Sequence, residues 1–135
     1  MLIKKTIFKG LLIIKKKTFV DNRGFFYRDY CEKELKKIKF QIKQTNISFN
    51  KNKFTLRGFH SQLQPNSESK IISCISGEII NICIDLRKNS KTYLKFYRKI
   101  LNDKNNISLL VPRGFANAYL TLKKNTKIFY YMSSF

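Results

Sequence analysis

From about residue 40 onward the chain is a series of short apolar or alternating runs separated by turn residues, a pattern that predicts antiparallel strands folded into a sandwich or barrel. The clearest run is IINICIDLR, residues 79–87. Ile80, Ile82, Ile84 and Leu86 fall on one face and Asn81, Cys83, Asp85 and Arg87 on the other, the period of two that a pleated strand imposes. Comparable runs cover residues 70–75, 94–100, 107–111, 116–122 and 127–132, with SGE, RKNSK, NDKNN, PRG and KKNT between them. Those separators are rich in residues that close turns. Only residues 32–38 read as a helix, because Leu35 and Ile38 lie three apart. No repeat, low-complexity linker or second-domain boundary interrupts the pattern, so residues 1–135 are expected to form a single mainly β domain. Closure into a barrel removes exposed sheet edges and leaves a mouth in which polar groups converge on a small ligand.

Composition tests that picture from the side of partners. The chain carries 28 Lys+Arg against 8 Asp+Glu, a formal charge of +20, which points first to a polyanion. The lysines, however, come mixed with isoleucine and asparagine, as at Lys15 to Lys17, Lys36, Lys37, Asn105 and Asn106. An AT-rich coding sequence produces that mixture without selection for binding. No basic run is long and none carries a zinc-finger, RNP or helix-turn-helix pattern, so no nucleic-acid partner is expected. Cys31, Cys74 and Cys83 are odd in number and lack CxxC spacing, which suits reduced thiols in a cytoplasmic protein rather than disulfides or zinc. The apolar run at residues 11–14 is too short for a signal peptide or a bilayer span, so no membrane association is expected. His60 is the one histidine in the chain; with imidazole so scarce, no metal is expected.

The motifs around His60 change the picture most. DNRGFF (residues 21–26), QTNIS (44–48), LRGFHSQ (56–62), Lys70 ten residues past His60, GEIINICIDLRKNSKTY (77–93), VPRGFANAY (111–119) and Tyr130 follow one another along the chain. Their order and spacing resemble those of the dTDP-4-dehydrorhamnose 3,5-epimerases, from about Ile7 to the last residue. That resemblance implies a cupin-type jelly-roll β-barrel with at most one or two short helices, working without a cofactor. It also implies a nucleotide-sugar substrate of dTDP-rhamnose and deoxysugar biosynthesis, and a homodimer.

Epimerisation beside a ketone needs a base, a cation near the carbonyl oxygen and an acid on the opposite face. The resemblance assigns these roles to His60, Lys70 and Tyr130 respectively. An imidazole is mostly neutral at physiological pH and can accept a proton; an ammonium stabilises a developing enolate. Tyr131 is the rival acid, and since strand neighbours point to opposite faces only one of the two tyrosines faces the pocket. Arg23 and Arg57 match residues that bind the diphosphate and sugar, a task suited to the planar guanidinium. Gln44 and Asn46 match a ligand-binding Gln-x-Asn segment, and Asn117 falls among the substrate-binding positions. Phe25 and Phe26 either stack on the base or pack in a dimer interface, and packing is the role read for both.

The chain departs from the family pattern in three places. Asn117 replaces the histidine of GFAHG, and Arg28 replaces the glutamate that follows RGFF. The chain is also expected to be a short form without the usual C-terminal part, which supplies an Asp to the base histidine. Asp85 is the candidate replacement. A 3-epimerase, a 3,4-ketoisomerase and a non-catalytic sugar-nucleotide-binding relative stay open as alternatives, although RGFHSQ matches the epimerases better than the ketoisomerase pattern RGxHAHK.

Overall fold

The computed structural model describes residues 1–135. In chain order the strands are β1 (Leu2–Lys5), β2 (Leu12–Lys15), β3 (Thr18–Asp21), β4 (Gly24–Tyr27), β5 (Gln44–Asn50) and β6 (Leu56–His60). They continue as β7 (Lys70–Ser76), β8 (Glu78–Asp85), β9 (Phe96–Asn102), β10 (Ile107–Val111), β11 (Phe115–Thr121) and β12 (Thr126–Met132). The one helix, α1 (Glu32–Lys36), lies between β4 and β5. Six strands form a sheet in the order β1-β2-β10-β7-β12-β5, four form a second in the order β6-β11-β8-β9, and β3 and β4 stand apart as a hairpin. Neighbouring strands run antiparallel throughout. The two larger sheets close on each other as a cupin-type jelly roll.

Alternation along the strands sorts the apolar side chains into two cores. Ile72, Ile79, Leu101, Leu109 and Ile128 fill the space between the sheets. Ile14, Leu35, Phe40, Ile71, Leu110 and Tyr131 form a second cluster on the outer side of the larger sheet, where α1 covers it. Each fully buried Ile or Leu contributes about 1.5–3 kcal/mol, so the helix is held by Leu35 and not by its own five residues.

The later strands lie within two residues of where the pattern places them. The strand read at 94–100 begins at Phe96, because Leu94 turns at φ +60° and its N–H donates to the Asp85 carbonyl. The helix stops at Lys36, two residues short of the expected end, with Lys39 already at φ +53°. Four strands before residue 30 were not read from the pattern; each is four residues long and β1 and β2 are broken up by lysines. Their order comes from sheet neighbours, as where Ile14 pairs with Ile3 and Ser108.

The clearest strand, β8, turns its polar row inward. Ile79, Asn81, Cys83 and Asp85 are buried while Ile80, Ile82 and Ile84 are half-exposed. The outward row continues across the sheet: Ile80 lies between Leu120 and Ile100, and Ile84 between Ala116 and Phe96. The barrel therefore has a partly polar interior and an apolar outer face on its smaller sheet. No helix is long and apolar enough to cross a membrane.

Candidate active site

His60 ends β6, an edge strand of the smaller sheet. Its register partner is Asn117, whereas Arg57 pairs with Tyr119, so three steps on β6 match two on β11, a bulge that re-aims the strand end. Gly58 occupies the bulge at φ +112°. A Cβ there would stand 2.6 Å from the Asn117 carbonyl oxygen and 2.7 Å from Ala118, so only glycine fits. His60 is exposed at the end of β6.

Asp85 does not stand behind His60. Its Oδ1 accepts from Arg87 Nε at 2.8 Å and its Oδ2 from Arg87 Nη2 at 2.8 Å and from Ser90 Oγ and Thr92 Oγ1 at 2.6 Å each. The carboxylate is spent on the loop after β8. It looked available because period two puts it on a polar face, while its true partners follow it in the turn.

Lys70 opens β7 on the same face as Ile72 and Cys74, toward the interior. Its Nζ lies 2.7 Å from Glu68 Oε1, with the two side chains 13% and 5% exposed. Glu68 was not anticipated. Its signal is position: two residues before Lys70 on an extended chain, and one of only 8 acidic residues.

The tyrosine pair on β12 divides between the two sides of the sheet. Tyr130 packs on the inner core, which includes Tyr119, and lies opposite Asn46 in register. Burial, reinforced by the neighbouring Tyr119, pushes its phenol well above the usual tyrosine range. Tyr131 sits in the outer core and donates to Asp29 Oδ2 at 2.6 Å; burial and that carboxylate raise its phenol too. Asp29 also pairs with the buried Lys16.

Between Tyr130 and Arg57 lies a polar set that the motif reading passed over. Asn50 Oδ1 accepts from Arg57 Nε at 2.8 Å and from the Tyr119 hydroxyl at 3.2 Å. Tyr119 is also 2.9 Å from Ser48 Oγ. Gln44, Asn46, Ser48 and Asn50 alternate along β5, so period two alone extends the QTNIS face to Asn50. Of these, Gln44 is occupied by the Ser134 carbonyl at 3.0 Å, while Asn46 is exposed beside Tyr130.

Asn117 is buried, and its Oδ1 accepts from Asn81 Nδ2 at 2.9 Å and Cys83 Sγ at 3.2 Å. With the oxygen occupied, the amide N–H groups are what Asn117 can offer a ligand. Burial pushes the Cys83 thiol up to about 12, a shift that the Asn81 amide and the charge of Lys70 oppose.

Arg23 is not part of this cluster. It sits at the tip of the β3–β4 hairpin, its side chain 86% exposed, and holds Asp21 at 2.6 Å. Phe25 and Phe26 on that hairpin pack into neither core and are exposed, with Phe25 stacked on Tyr27 at 5.9 Å.

His60 is exposed at the end of β6, Lys70 is mostly covered at the start of β7, and Tyr130 is half-buried against the inner core on β12. A model of the dTDP-4-dehydrorhamnose 3,5-epimerase family matches residues 5–135. The chain belongs to that family. The epimerase of Salmonella typhimurium is 33% identical over 133 residues, which cover 96% of this chain and 72% of that protein. The crystal structure of the Bacillus anthracis epimerase, with TDP and PPi bound, superposes with a TM-score of 0.95 at 32% identity, covering 99% of this chain and 78% of that one. The Legionella pneumophila epimerase, in complex with dTDP-4-keto-L-rhamnose, gives a TM-score of 0.91 at 31% identity over 99% of this chain and 72% of that one.

Proposed function

We propose that this epimerase-family protein inverts carbon centres beside the ketone of a nucleotide-linked 4-keto-6-deoxysugar, as a cofactor-independent enzyme of the dTDP-4-dehydro-6-deoxyglucose 3,5-epimerase type. The observation that carries the reading is that a chain matching the epimerase family over residues 5–135 holds His60, Lys70 and Tyr130 on β6, β7 and β12. His60 takes the α-proton, and the electron pair moves onto the ketone oxygen. Lys70, held by Glu68 in a water-poor wall, stabilises the oxyanion where its charge counts most. Tyr130 returns a proton to the opposite face. Asn117 donates an N–H to the sugar, and Asn46 lies opposite Tyr130 in register.

Arg57 serves the diphosphate: Asn50 engages its Nε, leaving the terminal fork free for phosphate oxygens. Arg23 and Gln44 complete the substrate contacts, Arg23 from the exposed hairpin once the molecule assembles. The relatives bearing TDP and dTDP-4-keto-L-rhamnose support a thymidine-linked substrate. Residues 1–135 act as one domain and pair as a homodimer through the apolar outer face of the smaller sheet, where Leu56, Phe59, Phe96 and Ile100 are exposed. Three free cysteines suit a cytoplasmic site.

The test is incubation with dTDP-4-keto-6-deoxyglucose in D₂O, following deuterium at C3 and C5 by NMR. The wild type should incorporate deuterium, and His60→Asn should abolish it. A folded wild type that exchanges neither carbon defeats the reading.

A further inference from the structure

Residues 61–69 join β6, which ends at His60, to β7, which begins at Lys70, and one carboxylate closes the neck of this loop. Glu68 Oε1 lies 2.7 Å from Lys70 Nζ, with the Glu68 side chain 5% exposed. Its other oxygen faces the opposite end of the loop. Gln62 stands within hydrogen-bond distance of two acceptors, the Asn66 carbonyl at 2.7 Å and Glu68 Oε2 at 3.2 Å, so its amide nitrogen is the end turned to them. Gln62 is two residues past His60, and Glu68 is two before Lys70. The loop's far end is tied down as well: the Ser69 N–H donates to Ser133 Oγ at 2.7 Å and the Arg113 N–H to Ser69 Oγ at 3.2 Å. A single buried side chain therefore spans the segments that carry the base and the cation.

Burying a carboxylate is expensive, and beside Lys70 it also offsets part of the field that a developing enolate oxygen would feel. A counter-ion alone has no need of the second contact, to Gln62; a brace does. A lysine side chain is a flexible four-carbon stem whose ammonium carries three donors. With one N–H on Glu68, the directions of the other two are set before substrate arrives. We propose that Glu68 is a positioning residue for proton removal: it aims the free N–H groups of Lys70 at the ketone oxygen and, through Gln62, fixes the strand end bearing His60 relative to the strand start bearing Lys70. The proposal rests on the epimerase reading above. His60 takes the α-proton, the C–H electron pair enters the enolate, and Lys70 meets the oxygen from a fixed direction. Glu68 moves no proton and touches neither the substrate nor a reacting atom, so its whole effect runs through Lys70 and the loop.

The test measures deuterium wash-in from D₂O into dTDP-4-keto-6-deoxyglucose beside the Kd for dTDP, which lacks the sugar. Glu68→Ala should slow wash-in about 100-fold, the scale of a small misplacement of a catalytic group, and leave the Kd for dTDP unchanged. Glu68→Gln keeps an acceptor for Lys70 and the reach to Gln62, and should recover most of that loss. In a Lys70→Ala background, adding Glu68→Ala should cost nothing further, as groups that act as a unit are not additive. Equal losses in the two backgrounds, or wild-type wash-in in Glu68→Ala, overturn the proposal. So does Glu68→Gln as slow as Glu68→Ala, which makes charge the contribution, or a dTDP affinity that falls together with wash-in, which marks a general loss of structure. Where thermal melting shows Glu68→Ala unfolded, Gln62→Ala, at an exposed residue, takes its place: it should slow wash-in without moving the melt, and unchanged wash-in there overturns the brace. A folded wild type without wash-in defeats the epimerase reading and this role with it; an active wild type with unaffected variants defeats the role alone.

Discussion

Asp85 is fully buried, and burial by itself would push its carboxyl up. The Arg87 guanidinium and the Ser90 and Thr92 hydroxyls outweigh that effect and hold it well below the usual carboxylate range. A depressed carboxyl contributes stability in full above its unfolded value, near 4, and loses it as pH falls through the folded one. Asp85→Asn should therefore cost about 3 kcal/mol at neutral pH, since it leaves Arg87 without its charge partner. Urea titrations at a series of pH values check this: the gap between wild type and variant should narrow as pH drops from about 5 toward 3, and a gap independent of pH contradicts the assignment. The same residue shows where reading along the chain stops. Its place on a polar face was legible, but the choice between His60 and the following turn depended on where Arg87 folds back.

On the scale of one element, β12 is decided by a register that its neighbours impose. Tyr130 lies opposite Asn46 and Ile72, and Tyr131 opposite Thr45 and Ile71, so the two phenols are committed to different cores. Tyr131→Phe should lower stability by about 1.5 kcal/mol, the low end for a hydrogen bond to a charged group, without lowering the rate of inversion. Tyr130→Phe should do the reverse, sparing part of the deuterium wash-in while suppressing inverted product. A larger loss of inversion in Tyr131→Phe exchanges the two roles. The alternation in KIFYYM was legible in the residues; which tyrosine faced inward was not, because period two fixes the opposition of neighbours and leaves the sign to the sheet they join.

For the molecule as a whole, the smaller sheet turns a row of Leu56, Leu120, Ile80 and Ile100 outward. An exposed apolar row of this kind is what a two-fold dimer interface would cover. If this face forms the proposed dimer, Ile80→Glu places a charge in its centre and should leave a monomer where the wild type sediments as a dimer; a variant that still sediments as a dimer moves the interface elsewhere.

The residues alone determined the β class, the places of the later strands and, through the order and spacing of the motifs around His60, the family, because alternation and motif spacing are properties of neighbours in the chain. The polar interior of β8, the hold of Glu68 on Lys70, the engagement of Asp85 by its own turn and the Ser48–Tyr119–Asn50 chain came only with the tertiary structure. Ser48 and Tyr119 are 71 positions apart, and no local pattern records which strands a barrel closure will lay face to face.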